Sequence, residues 1–200
     1  MTSLSRLPKP STSRLAVRVT PDALRQIRAG HPWVYENSIQ SVKGDGNPGD
    51  LAVIFDDDRK FAAIGLYDPA SPIRIKIIHQ GKPATVDKAF WVAHVSAALA
   101  RRQKLIDTMG TETETTGYRC IAGENDGFPS LILDRYENTL ALKLYSTIWV
   151  PHLAELVPAI EEVFRPEAVV LRLARNIEPE GLFGLERQPV LAEHDRVAGR

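Results

Sequence analysis

Residues 118–136 read YRCIAGENDGFPSLILDRY, and this stretch decides the fold. Asp126-Gly127 is a strong turn signal, because glycine takes a positive φ without steric penalty. Pro129 stiffens the exit from that turn. Leu131, Ile132 and Leu133 then open an apolar strand, which ends at a second turn around Glu137-Asn138. A further strand follows at Thr139–Tyr145, so the stretch reads as strand, turn and hairpin. Working downstream, Pro151–Phe164 carries Leu153, Leu156, Val157 and Ile160 at helical spacing, and Ala168–Leu173 (AVVLRL) reads as a buried strand. Beyond Ala174 the chain turns polar, which predicts no further element. Residues 118–200 therefore form an α/β domain.

Working upstream, TETETTG (Thr111–Gly117) is a polar linker with little core potential. Before it, Val86–Met109 has helical period, with Phe90, Ala93, Ala97 and Ala100 or Arg101 on the expected stripe. Residues 83–117 are thus expected to connect two modules. Strands are predicted at Leu15–Val19, Trp33–Ile39, Leu51–Phe55, Phe61–Tyr67 and Ile73–Ile78, with Gly-, Pro- and Asp-rich turns between them. Such spacing argues for a small barrel or sandwich over residues 14–82. A helix follows the first strand: Thr20 suits its N-cap, Pro21 its first position and Gly30 the position past its end. In Ile73–Ile78, alternation puts the isoleucines inward and Arg74 and Lys76 on the outer face. The Ser-, Pro- and Thr-rich residues 1–13 read as a disordered lead-in.

The chain has 200 residues, 44% of them apolar, which is enough for sizeable cores. No apolar run reaches the ~18–20 residues that span a bilayer, so no membrane partner is expected. Cys120 is the single cysteine. With no intrachain disulfide to form, it suggests a reducing, cytoplasmic setting. The net charge of zero conceals a division. Residues 1–104 hold 16 Lys and Arg against 9 Asp and Glu, and residues 105–200 hold the reverse. A basic half points to a polyanion, with nucleic acid the default; the alternative is an ordinary solvated charge pattern.

Several motifs invite chemistry. GDGNPG (Gly44–Gly49) matches the glycine pattern of dinucleotide sites, but it leads into a strand (LAVIF) rather than a helix N-terminus. It reads as a hairpin loop, and no other loop is rich enough in glycine to cradle a nucleotide-type cofactor. Glu124 and Asp126 could act as a carboxylate pair or as metal ligands; a turn-forming Asp and a solvated Glu are the simpler reading. His31, His79, His94, His152 and His194 are too scattered for a zinc site. Cys120 has Arg119 beside it but lies in an apolar strand, where a buried inert thiol is usual. Neither a metal site nor a catalytic residue is therefore assigned. The strongest candidate set is basic and aromatic: Arg18, Arg25, Arg28, Arg74 and Lys76 among His31, Trp33 and Tyr67. Cations of this kind grip phosphates and aromatics stack bases. The alternative makes Trp33 and Tyr67 core residues of the barrel.

The order of a basic helix, GHPWVY (Gly30–Tyr35), GLYDPASPIRI (Gly65–Ile75), a long helix and YRCIAGENDGFPSLILDRY resembles the N-terminal part of RlmI-like S-adenosylmethionine (SAM)-dependent rRNA (cytosine-5)-methyltransferases. The resemblance covers about residues 15–175. It implies an α+β chain: a PUA-like, RNA-binding β-barrel over 14–82, a helical connector, and a central α/β domain over 118–200. It further implies a Rossmann-like methyltransferase domain downstream, carrying the SAM site and the catalytic cysteine, which Cys120 does not match. On this reading no cofactor binds these 200 residues, although SAM is expected for the full-length family. The implied partner is rRNA, with a separately encoded methyltransferase domain and homodimerisation as further expectations. Two other readings stand beside it: a stand-alone RNA-binding protein, and a small-molecule enzyme using Glu124 and Asp126.

Overall fold

The computed structural model describes residues 4–109, 116–175, 177 and 190–193. They form two compact units. The first comprises residues 8–85 and takes in Ile148–His152; the second holds the rest.

In the first unit, β1 (Leu15–Val19) leads into helix α1 (Pro21–Arg28). The Thr20 hydroxyl accepts the Ala23 N–H, and Leu24 and Ile27 turn inward. Then come β2 (Trp33–Tyr35), β3 (Ile39–Lys43), β4 (Leu51–Phe55), β5 (Phe61–Tyr67) and β6 (Ile73–Gln80). The sheet order is β2-β6-β5-β4-β1-β3, with β1 parallel to β4 and every other pair antiparallel. The two edge strands are consecutive in the chain. Edges of a flat six-stranded sheet stand about 24 Å apart, whereas Tyr35 to Ile39 can span at most about 14 Å. The sheet must therefore curl into an open barrel. Leu15, Val17, Ile27, Val34, Ile54 and Ile75 fill it.

The expected strand from Trp33 to Ile39 is broken by a 3-10 turn at Glu36–Ser38, which carries the chain from one edge to the other. Loop 44–50 is not a hairpin either, because β3 and β4 flank β1 rather than pair. The residues expected to form a disordered lead-in are held where the structure describes them. Leu7 is buried in the second unit, and the Ser11 N–H donates to Asp50 in the first.

The second unit starts with α2 (Lys88–Thr108), capped by Asp87, whose carboxylate accepts the Phe90 N–H. After it come β7 (Gly117–Ala122), β8 (Leu131–Tyr136), β9 (Thr139–Leu144), α3 (Leu153–Phe164), β10 (Ala168–Leu173) and β11 (Val190–Glu193). The sheet order is β11-β10-β9-β8-β7. The α3 crossover sets β10 parallel to β9, as a strand–helix–strand connection requires. Strand β11 was not expected; Val190, Leu191 and Ala192 were its signal, hidden in a polar tail. Most of linker 111–117 lies outside the described residues.

Helix α2 is a layer of this unit rather than a connector. Its buried residues are Phe90, Trp91, Val95 and Ala98, while Ala93, Ala97 and Ala100 face outward. The sequence misleads here because apolar residues occur all round the helix, and the largest side chain, Trp91, decides the inward face. Spacing from Trp91 through Val95 and Ala98 brings Arg102 onto the same stripe. Its guanidinium meets Asp126, at 2.7 Å to Oδ1 and 2.6 Å to Oδ2. Arg101 adds a contact of 3.0 Å, and the Ala122 N–H donates to the same carboxylate at 2.7 Å. Next to it, Phe128 meets the ring cluster of Phe90, Trp91 and His94. Gly127, at φ 78°, makes the turn between the two contacts.

The Asp126 side chain is 2% exposed. Burial alone would raise its pKa; the Arg102 hydrogen bonds, the Ala122 N–H and the Arg102 charge outweigh that, and the net shift is downward. A carboxyl depressed in the folded state contributes stability above its unfolded value near 4 and loses it as pH falls through the folded value. We expect Asp126→Ala to destabilise the second unit by about 3 kcal/mol or more in urea, because Arg102 is left as an uncompensated charge. Arg101→Ala, which removes a half-exposed partner, should cost under about 1 kcal/mol. Acid unfolding of the wild type should steepen below about pH 4, and Asp126→Ala should flatten it.

Candidate nucleic-acid interface

The basic candidates all lie in the first unit, and each is paired with an acid of that unit. Arg18 meets Asp57 at 2.5 Å, Arg25 meets Asp22 at 2.5 Å, and Arg28 meets Asp56 at 2.8 Å. The β4–β5 turn, Asp56–Lys60, thus gathers Arg18 from β1 and Arg28 from α1 against one loop. Asp56 sits below the usual carboxylate range, chiefly because it accepts the Lys60 N–H, with Arg28 assisting. Arg18, Arg25 and Arg28 keep 54%, 73% and 57% of their side-chain surface open to solvent. Pairs exposed on both sides, such as Arg18–Asp57 and Arg25–Asp22, contribute ~0–1 kcal/mol, so a phosphate can displace those carboxylates cheaply; Asp56, the Arg28 partner, is mostly enclosed.

Arg74 and Lys76 behave differently. Lys76 is 5% exposed, and its amino group meets Asp68 at 2.6 Å. It is a structural ion pair inside the barrel wall, and the reading that sets it on the outer face is corrected. Alternation holds across Ile75–Ile77, between register shifts at Arg74 and Ile78: Ile75 and Ile77 join the barrel core and Lys76 takes the other side, but that side too is closed to solvent. Arg74 keeps 15% of its side-chain surface and is held by Glu36 and the Pro69 carbonyl. It orders the β5–β6 turn.

His31 and Trp33 come together: their rings meet edge to face at 5.9 Å, and the Trp33 N–H donates to His31 Nδ1. Both are partly buried at the start of β2. Tyr67 is elsewhere, packed on the barrel core and against loop 44–50. The eight candidates therefore divide into an exposed arginine set, a His–Trp pair, and three residues occupied by the fold.

Loop 44–50 does not fit a nucleotide-type cofactor. A Cβ at Gly46 would lie 2.6 Å from Leu15, and one at Gly49 2.4 Å from the Ile148 carbonyl. Protein atoms already fill the space a phosphate would need. His152, almost fully buried, donates from Nε2 to the Gly49 carbonyl at 2.7 Å; this contact across more than a hundred positions leaves no local signal in the chain. Among the described residues no cluster of His, Cys, Asp and Glu could hold a metal, and no helix is long and apolar enough to cross a membrane. Glu124 Oε1 accepts the Ser130 N–H. With Asp126 locked by arginines, the two carboxylates are loop-forming groups. Cys120 is fully buried, and burial pushes its thiol up to about 12.

Residues 17–80 match the model of a PUA-like domain. The chain is 45% identical to a ribosomal RNA large subunit methyltransferase of Deinococcus radiodurans over 94% of its own length and 44% of the relative's. It is 31% identical to ribosomal RNA large subunit methyltransferase I of Alteromonas mediterranea, over 82% of this chain and 42% of that one. The chain thus spans less than half the length of these relatives. Among solved structures it is similar in fold to a proposed SAM-dependent methyltransferase from Streptococcus mutans, with a TM-score of 0.71 at 13% identity over 90% of this chain and 43% of that one. A second methyltransferase structure, complexed with SAH, gives a TM-score of 0.71 at 14% identity, over 91% of this chain and 43% of that one.

Two outcomes check the burial assignments. Lys76→Met should lower stability by about 3 kcal/mol by removing the buried ammonium that Asp68 meets in the barrel wall, whereas Arg25→Ala should stay within about 0.5 kcal/mol. A disulfide reagent at pH 8 should leave Cys120 untouched in the native chain and label it fully in urea; rapid native labelling would contradict a buried, high-pKa thiol.

Proposed function

The chain belongs to the RlmI-like family of ribosomal RNA large subunit methyltransferases with a PUA-like domain, and from that premise we propose that these 200 residues recognise and orient rRNA for methylation at cytosine C5. The observation that carries the proposal is the exposed arginine set, Arg18, Arg25 and Arg28, on the PUA-like unit. Among the described residues Arg18 and Arg25 pair with exposed carboxylates, Asp57 and Asp22, that a phosphate can replace, while Arg28 keeps an open guanidinium against the more enclosed Asp56. His31 and Trp33 lie on the same unit and offer partly open rings for a base.

Methyl transfer itself is assigned to a SAM-dependent domain of the kind the family resemblance implies. On this reading the chain supplies binding and geometry, consistent with its one thiol, Cys120, being buried and with loop 44–50 being filled by protein atoms. Positioning of this kind matters because base chemistry requires the target nucleotide to be held outside the stack.

The test is the salt dependence of binding to a fluorescein-labelled single-stranded fragment of large-subunit rRNA. Log K should fall linearly with log[salt], by roughly 0.7 for each phosphate contact. Replacing Arg18, Arg25 and Arg28 together with alanine should reduce the slope by about 2, and Arg74→Ala should leave it unchanged if the fold survives. Affinity indifferent to salt would refute the electrostatic reading.

A further inference from the structure

The second unit carries a sheet face that the recognition reading does not use. Along β8, β9 and β10 the residues Leu131, Leu133, Leu140, Leu142, Leu144, Val169 and Leu171 are fully buried on the inner side. The alternate residues form the outer side: Ile132, Asp134 and Tyr136 on β8, Ala141 and Lys143 on β9, and Val170 and Arg172 on β10, with Arg119 on β7. None of these is buried.

Two features of this face are unusual for solvated surface. Lys143 and Arg172 are register neighbours on β9 and β10. Like charges directly opposite across strands destabilise a sheet, and among the described residues neither cation has an acidic partner. Asp134, the acid on this face, is already taken by Arg119 at 2.8 Å. Beside the pair lies an open aromatic ring. Tyr145, just past β9, is 40% exposed, and the Lys143 amino group stands 4.6 Å from its ring centroid. Tyr136, 59% exposed, lies at the other end of the β8–β9 pair, about 20 Å away along the strands.

We propose that this face is a second RNA-binding surface, seating single-stranded RNA with phosphate on Lys143 and Arg172 and a base stacked on Tyr145. The proposal rests on the recognition reading above and extends it to the second unit. An open sheet face with aromatic side chains is a geometry that splayed bases stack on, and unpaired cations beside the rings take the backbone. A protein partner fits less well, since the core of a protein interface is depleted in lysine and in unpaired charge.

The test uses the full chain and the same rRNA fragment, carrying 4-thiouridine for cross-linking. Lys143→Gln with Arg172→Gln should weaken binding and lower the salt slope by about 1.4. Tyr145→Ala should weaken binding roughly fivefold or more with the slope kept, and Tyr145→Phe, which keeps the ring, should bind as wild type. Irradiation should cross-link the RNA to the peptide holding Tyr145. These side chains are open to solvent, and unchanged thermal melting of the variants would confirm that folding is intact. If the sheet variants bind with unchanged affinity and slope while the first-unit arginine variants lose both, the second surface is refuted and the recognition reading stands. If the wild type itself shows no salt-dependent binding, both fall. Amine cross-linking of Lys143 to a second copy of the chain, with no RNA adduct at Tyr145, would assign the face to a protein contact instead and overturn the proposal.

Discussion

A single buried carboxylate organises the second unit. Asp126 accepts both arms of Arg102, one of Arg101 and the Ala122 N–H. A charge this deeply buried is tolerable only when its acceptor sites are filled. Filling them fixes three things together. Loop 123–130 is held to its own strand, α2 is set at one rotation about its axis, and Phe128 is delivered to the ring cluster on that helix. Arg102 follows Trp91, Val95 and Ala98 on one stripe of α2, and Trp91 packs on Phe128, two residues past Asp126, so the ion pair and the apolar stripe depend on each other. Neither would hold α2 in this orientation alone.

That arrangement also explains why the other sheet face stays polar and half-open. The inner residues of β8, β9 and β10 are completely excluded from water, and the alternation of a strand then forces Asp134, Lys143 and Arg172 outward. Charge is therefore not spread evenly over this acidic half. Among the described residues, Lys143 and Arg172 lie beside an exposed tyrosine on one face.

In the first unit, the same contrast between buried and exposed pairs separates structural cations from available ones. Lys76 and Arg18 each stand near one aspartate, at almost the same distance. Lys76 is enclosed by the barrel wall, where giving up Asp68 would strand a charge. Arg18 is half in water, where exchanging Asp57 for phosphate loses little. Proximity of opposite charges says nothing about availability; solvent access decides it.

The strand-turn-strand identity of residues 118–136, the capped helix after β1, the amphipathic α3 with a buried strand after it, and the inert setting of Cys120 were all legible in the sequence. Each depends on neighbours a few residues apart: a cap, a positive φ at Gly127, an apolar alternation. The basic character of the first half was legible for the same reason, since it is a property of composition. Tertiary structure decided which residues shared a partner. The inward face of α2 could not be read because apolar residues surround that helix, and only its packing shows that Trp91 and Arg102 point in while Ala93 and Ala97 point out. Lys76 alternates with Ile75 and Ile77 as its strand pattern predicts, but the side it takes is closed to solvent, which depends on what packs there and not on its own strand. The pairing of Lys143 with Arg172, 29 positions apart, exists only because the α3 crossover lays β10 parallel beside β9. Local chemistry thus determined what the elements are; long-range register determined which of their charges are left for a ligand.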